Sequence, residues 1–400
     1  MPKLWMRSAS LTLYLALCAA PLTVAAQETL GEDTAIQRAL AREGIAARDE
    51  ADRMASAAEI EVIGPLDNPD VELSRESAGG ESEWHLGVVQ PIDLNGRRDA
   101  LREAARAEAQ ATDAEIERRR QLLVAEVRGS YLQCAAASAE LEIWDRYVDQ
   151  LSDAERVSSA RAEAGDTAVY DVRRVRVEQR SAEAQLARAR GESIAGCASL
   201  GALTGIENPQ VEPAAMTRPA SSSETGERAD LLAQERRILA ASQRVSAAER
   251  GRLPQIAVGA GIKRVDDGLD TAYGPVVSLG VTLPIWNGGG AAVRREEARL
   301  AALETELLIS RRRVAAEQAA VAARASAARE AAVTAAHARS DAERLGATAE
   351  IAYRSGEIGV VELLDAYEAA RDADLSVITL ALDAAQAAVD YDLATGRTYQ

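Results

Sequence analysis

LGVVQPIDLNGRR at residues 86–98 returns later in the chain as LGVTLPIWNGGG at 279–290. Each copy follows an extended segment introduced by proline: Asn68-Pro69 leads into DVELS, and Leu253-Pro254 into QIAVGAGI. Each ends on Asn-Gly (Asn95-Gly96, Asn287-Gly288) and opens a long Ala/Arg/Glu-rich stretch. Further on, Gly165 with Asp171-Val172 answers Gly356 with Glu362-Leu363. A plan written twice at this spacing is a duplicated domain rather than a small-repeat solenoid. The repeats run over 27–204 and 228–400, with a Pro/Ser-rich linker at 205–227 between them.

The segments at about 69–77, 83–92, 254–265 and 274–286 alternate as strands. Leu86 and Val88, then Val277, Leu279, Val281 and Leu283, fall on one face; His85, Gly87, Ser278, Gly280 and Thr282 fall on the other. Such segments are long enough to cross a bilayer as tilted strands, and the same period also suits a half-buried sheet in a soluble sandwich. Four strands cannot close a barrel, and open sheet edges are forbidden in lipid. If these strands span a membrane, several chains must pool them.

The stretches Arg97–Ala164 and Ala291–Arg354 contain no proline and abound in helix formers, so each predicts a helix roughly 100 Å long at ~1.5 Å per residue. Val127, Cys134, Leu141 and Val148 recur every seven residues, as in a coiled coil. Cys134 lies 31 residues before Gly165 and Cys197 lies 32 after it, so an antiparallel hairpin turning at Gly165 sets them opposite each other. Two readings stand for the pair, a disulfide or two buried thiols.

Composition narrows the function. The chain has 400 residues, 85 of them alanine, with no phenylalanine, two histidines and three cysteines. That leaves no Ser/His/Asp, Cys/His or metal constellation, so neither an enzyme nor a cofactor is expected. A net charge of −17 argues against nucleic acid as a partner. Lys3 and Arg7 before the apolar run Leu11–Ala20, then Val24-Ala25-Ala26, read as a secretory signal over residues 1–26. Cys18 is either a lipidated residue or a cysteine discarded with the signal; Leu17 before it is larger than a lipidation site prefers.

Taken in order, several motifs resemble those of the TolC-like outer-membrane efflux channels, closest to the branch serving heavy-metal and drug tripartite pumps. They are Leu66-Asp67-Asn68-Pro69, LGVVQPIDLNGRR, Arg161 to Gly165 with Asp171-Val172, and Arg228-Ala229-Asp230-Leu231-Leu232. Leu253-Pro254, LGVTLPIWNGGG, Tyr353-Arg354-Ser355-Gly356 and Glu362-Leu363-Leu364-Asp365 complete the set. The resemblance implies a mainly α chain with a membrane β-barrel contribution. It would form a homotrimer that pools twelve strands into a barrel in outer-membrane lipid, above a long α-helical periplasmic tunnel, with the linker in a belt around the tunnel. It implies a passive, gated duct whose partners are a periplasmic adaptor (membrane fusion) protein and an inner-membrane efflux pump. The competing reading from another class is a periplasmic coiled-coil adaptor or scaffold without a pore.

The same resemblance implies a periplasmic gate at Asp171, Tyr353, Glu362 and Asp365. The residue-level alternative for these carboxylates is an acidic helix start that the dipole favours. Ile358 stands where an arginine occurs in the best-known family gates. Arg161, Gly165, Arg354 and Gly356 would form the tip that docks the adaptor, with simple helix capping by glycine as the plainer role.

Overall fold

The computed structural model of the chain describes residues 29–166, 168–211 and 227–397. The expected signal segment with Cys18, and most of the linker, lie outside the described residues. Two helices, α1 (Glu32–Leu40) and α2 (Glu43–Ile63), precede strands β1 (Asp70–Ala78) and β2 (Glu81–Ile92). Helices α3 (Arg97–Ala164) and α4 (Val169–Thr204) complete the first repeat. The second repeat runs α5 (Ala229–Arg250), β3 (Gln255–Asp266), β4 (Thr271–Thr282), α6 (Gly290–Ser355) and α7 (Val360–Ala394).

The four strands form one antiparallel sheet in the order β1-β2-β3-β4, so the two repeats meet along β2 and β3 and leave β1 and β4 as open edges. Gly79 (φ 63°) and Gly80 (φ 94°) make the two-residue turn between β1 and β2, where both central residues need positive φ. Asp267 closes the longer β3–β4 loop, its Oδ1 accepting from the N–H of Leu269 (2.9 Å) and of Asp270 (2.7 Å). One expectation is corrected here. Leu283 lies past the end of β4, because its partner strand starts at Gln255, which already pairs with Thr282, and Pro284 has no N–H to extend the ladder.

Both long helices leave the sheet through a left-handed glycine, Gly96 (φ 70°) before α3 and Gly289 (φ 71°) before α6. Both end the same way. At Gly165 (φ 83°) the N–H of Asp166 bonds back to the carbonyl of Arg161 (2.9 Å), and at Gly356 (φ 82°) the N–H of Glu357 bonds back to that of Ala352 (2.9 Å). The chain then reverses into α4 and α7. At ~1.5 Å per residue the 68 residues of α3 and the 66 of α6 put these tips roughly 100 Å from the sheet.

Helix α3 is the centre of the bundle and packs against α1, α2, α4, α5 and α7, whereas α6 packs against α7 and α5. Midway along, Leu30, Ile36 and Ala39 close over Val127, Tyr131, Cys134, Cys197 and Leu200. Inside that cluster Cys134 and Cys197 form a disulfide, with Cα atoms 4.4 Å apart. Toward the tips a second cluster joins Tyr147, Leu151, Val175, Tyr353, Val360, Leu363, Leu364 and Tyr367. The seven-residue stripe predicted on α3 does not hold along its whole length. Val127 and Cys134 are buried, but Ile143, Tyr147, Leu151 and Ala154 then take over from Leu141 and Val148, which are only half-buried. A straight α-helix drifts against a strict heptad by about 20° per repeat, so one stripe cannot face the seam throughout.

Candidate functional site

The sheet is two-faced across all four strands. Register places Val71 beside Val88, Leu73 beside Leu86, and Leu86 in turn beside Ile262. Val258 faces Leu279, Ala260 faces Val277, and Ile256 faces Val281. These residues make one apolar face, and within the described chain almost all of its large members are exposed. The opposite face carries Asp70, Glu72, Ser74, Glu83, His85, Lys263 and Ser278 among glycines, with Lys263 Nζ 2.5 Å from Glu83 Oε2. That face is crowded. A Cβ on Gly259 would stand 2.2 Å from Ser278 Oγ, and one on Gly261 2.8 Å from His85 Nε2. Glycine lets the sheet curve tightly around its polar side, leaving the apolar side outermost.

At the far end, Arg161 crosses from the tip of α3 to the tip of α6. Its guanidinium donates to the carbonyl of Tyr353 (3.0 Å) and stacks on that tyrosine's ring at 5.3 Å. Tyr353 itself is 5% exposed within the tip cluster, which corrects the expectation that it narrows an opening: its ring is packing, not lining. Arg161 is likewise half-buried in this tie, while Gly165, Gly356 and Arg354 are exposed, the last paired with Glu350 at 2.6 Å. Asp171, Glu362 and Asp365 lie within the first two turns of the returning helices. Glu362 and Asp365 are exposed, with Leu363 and Leu364 turned inward between them, and Asp171 is half-exposed. The Glu362 carboxylate curls back over Gly359 at the start of α7, where the helix dipole favours it. Ile358 packs against the tip cluster.

Above the tip, α3, α4 and α7 share a polar knot that the sequence pattern does not single out. Arg371 lies over the rings of Tyr147 (4.6 Å) and Trp144 (5.3 Å) and 3.7 Å from Glu178 Oε1. The Tyr147 hydroxyl donates to Glu178 (3.1 Å), and burial pushes that phenol's pKa well up. Burial, then the charge of Glu178, raises the Glu368 carboxyl above its usual range. Tyr367 is pushed up to about 12 by burial and by Glu350. The apolar spacing Trp144, Tyr147, Leu151 marks the helix seam in the sequence; that Arg371 would close over it could not be read there. Among the described residues, no group of three or more His, Cys, Asp or Glu could hold a metal ion, and no helix is long and apolar enough to cross a membrane.

A family profile described as outer membrane efflux protein matches residues 35–206 and 221–397. The chain belongs to that family. Among curated members, this outer membrane efflux protein is 26% identical over 249 residues to the nickel-cobalt-cadmium resistance protein NccC of Alcaligenes xylosoxydans xylosoxydans, covering 58% of the chain and 56% of that protein. It is 28% identical over 206 residues to the cobalt-zinc-cadmium resistance protein CzcC of Cupriavidus metallidurans, covering 49% of each. The chain thus spans about half the length of the curated relatives it matches. Its fold is that of the outer membrane channel CmeC of Campylobacter jejuni, with a TM-score of 0.72 at 15% identity over 99% of this chain and 94% of that one. The mainly helical channel architecture expected from the sequence is therefore the one observed, and the fold is that of a channel rather than an enzyme.

Proposed function

We propose that this outer membrane efflux protein is the outer-membrane duct of a tripartite pump and that its cargo is divalent metal cations. The observation that carries the reading is the sheet: one apolar face that nothing among the described residues covers, two open edges, and a curved polar face, set on hairpins roughly 100 Å long. Backbone groups at open edges must be paired in lipid, so β4 of one chain would join β1 of the next. Three chains would close twelve strands, with Leu86, Val88, Val277, Leu279 and Val281 toward lipid. The tips around Gly165 and Gly356, with Arg161 and Arg354, would meet the periplasmic adaptor, through which an inner-membrane pump delivers cargo. Asp171, Glu362 and Asp365 at the tip would repeat around the axis as carboxylate rings, which favour cations. The cargo reading rests on those carboxylates and on the metal-resistance names of NccC and CzcC.

The test is membrane fractionation with cross-linking, followed by a face-specific charge. A heat-resistant trimer in the outer-membrane fraction is expected. Leu279→Lys should cost about 2–4 kcal/mol near the midplane and impair insertion, while Ser278→Asp on the opposite face should insert normally. A soluble protein, or equal tolerance on both faces, would overturn the reading.

A further inference from the structure

The outward face of the sheet changes character at one level. Register sets Arg75 of β1 opposite Trp84 of β2, Trp84 opposite Arg264 of β3, and Arg264 opposite Tyr273 of β4, so these four residues form one row across the sheet. All four are exposed. Two residues along each strand toward the helices, the same face carries Leu73, Leu86, Ile262 and Pro275. Two residues toward the hairpin turns, Ser77 faces Ser82 and Asp266 faces Thr271. Among the described strand residues, Arg75, Arg264 and Asp266 are the charged side chains of this face.

Two cations on an otherwise apolar face, in a chain of net charge −17, call for an anion from outside the chain. Arg75 lies over the Trp84 ring at 5.0 Å and makes no ion pair among the described residues. One terminal nitrogen of Arg264 lies 3.3 Å from Asp266 Oδ2, which leaves most of its five N–H donors open. Neighbouring strands are ~4.8 Å apart, so the two arginines rise from positions ~10 Å apart with the indole between them. Long side chains at that spacing can close on one phosphate, whose geometry the guanidinium fork matches. The hydroxyls of Ser77, Ser82 and Thr271 then stand on the outer side of the phosphate, where a polar headgroup would lie. The level agrees. From Tyr273 to Val281, β4 runs ~27 Å, or ~19 Å in height at a tilt of ~45°, which puts the row near the outer edge of an apolar band about 25 Å tall. The helices leave the other end of the sheet, so this edge belongs to the leaflet facing the exterior.

We infer that Arg75 and Arg264, on either side of Trp84, form a binding site for a phosphorylated glycolipid of the lipid A type in the outer leaflet. The arginines take the phosphate, the indole lies against the first carbons of the acyl chains, and the hydroxyl row meets the sugar. This rests on the barrel reading, and the experiment separates the two. Protein purified in detergent and stripped of lipid is titrated with lipid A carrying both phosphates, with lipid A lacking them, or with phosphatidylglycerol. Native mass spectrometry counts the bound lipid. The phosphorylated glycolipid should bind about tenfold more tightly than either of the others, a comparison that needs no variant. Arg75→Gln with Arg264→Gln should abolish the preference, and Lys263→Gln on the opposite face should keep it. Equal binding of the dephosphorylated lipid or of phosphatidylglycerol, or a preference that survives the double variant, would overturn the site. Fractionation of the same cells tests the barrel: a trimer in the outer membrane without lipid preference sinks the site alone, and a parent protein absent from that fraction sinks the barrel and the site with it.

Discussion

The two helical hairpins follow the same plan, yet one is bolted and the other is not. The first, α3 with α4, is pinned by the Cys134–Cys197 disulfide and lidded by α1, and α3 buries residues along most of its length. The second, α6 with α7, has no cysteine, and α6 buries only nine residues where α3 buries nineteen. Helix α6 also leaves Leu308, Val333, Leu345 and Ile351 exposed. The difference follows from position: α3 lies among five helices of its own chain and α6 lies at the margin. Equal sequences of helix formers thus end with unequal stability, because most helical stability comes from packing a face rather than from propensity.

Breaking the bolt is the most damaging change the comparison anticipates. Cys134→Ser with Cys197→Ser opens a loop spanning 63 positions, and the chain-entropy model puts the loss at about 4 kcal/mol. Urea unfolding of the purified variant should show it, and a reductant should reproduce it in the parent protein. Loss of similar size from an α6 substitution far from the bolt would contradict the asymmetry.

Next in size is a matched pair of truncations. Leu151→Ala on α3 removes a fully buried side chain and should cost about 2–5 kcal/mol. Leu308→Ala on α6 starts from a residue 51% exposed and should cost under about 1 kcal/mol in monomeric protein. In the proposed trimer a neighbouring chain would cover that margin and the Leu308 cost should rise; equal Leu308 costs in both states would mean it stays bare.

The tie between the hairpins is smaller. Arg161→Ala removes one hydrogen bond and one cation–π contact, about 1–2 kcal/mol together. A double-mutant cycle with Tyr353→Leu isolates the ring's share, since the carbonyl bond survives in that variant. A coupling of zero would mean that the ring adds nothing to the tie and that the carbonyl bond carries it.

The smallest effect concerns pH. Glu368 has its folded pKa raised by burial and by Glu178, so the native state binds its proton more readily than the unfolded chain. Stability from this group is then fully present below the unfolded value and is lost as pH rises through the folded one. Glu368→Gln should therefore raise the Tm at neutral pH, and the gain should vanish in acid below the unfolded value. A gain that persists unchanged at low pH would assign it to packing instead.

Much of this molecule is written locally. The doubled LGV–PI motifs, the prolines that open β1 and β3, the glycines at 96, 165, 289 and 356, and the proline-free alanine runs are signals within a few residues of the elements they specify. Backbone strain and side-chain period act at that range, so strands, turns and long helices were legible without coordinates. The placement of Asp171, Glu362 and Asp365 at the starts of the returning helices was legible for the same reason.

What tertiary structure alone decided is which side chain faces what. The sequence carries Tyr353 and Arg161 as two tip residues of different repeats, and only the meeting of α3 with α6 buries the tyrosine under the arginine. It places Val127, Cys134, Leu141 and Val148 on one stripe, and only the drift of a straight helix past its neighbours moves burial to Ile143, Tyr147 and Leu151. Arg371 of α7 over Tyr147 and Trp144 of α3 unites two helices far apart in the chain. Leu283 reads as one more strand residue until its partner strand is found to begin at Gln255. Period and propensity depend on near neighbours along the chain, whereas burial depends on neighbours in space, which a single sequence does not name.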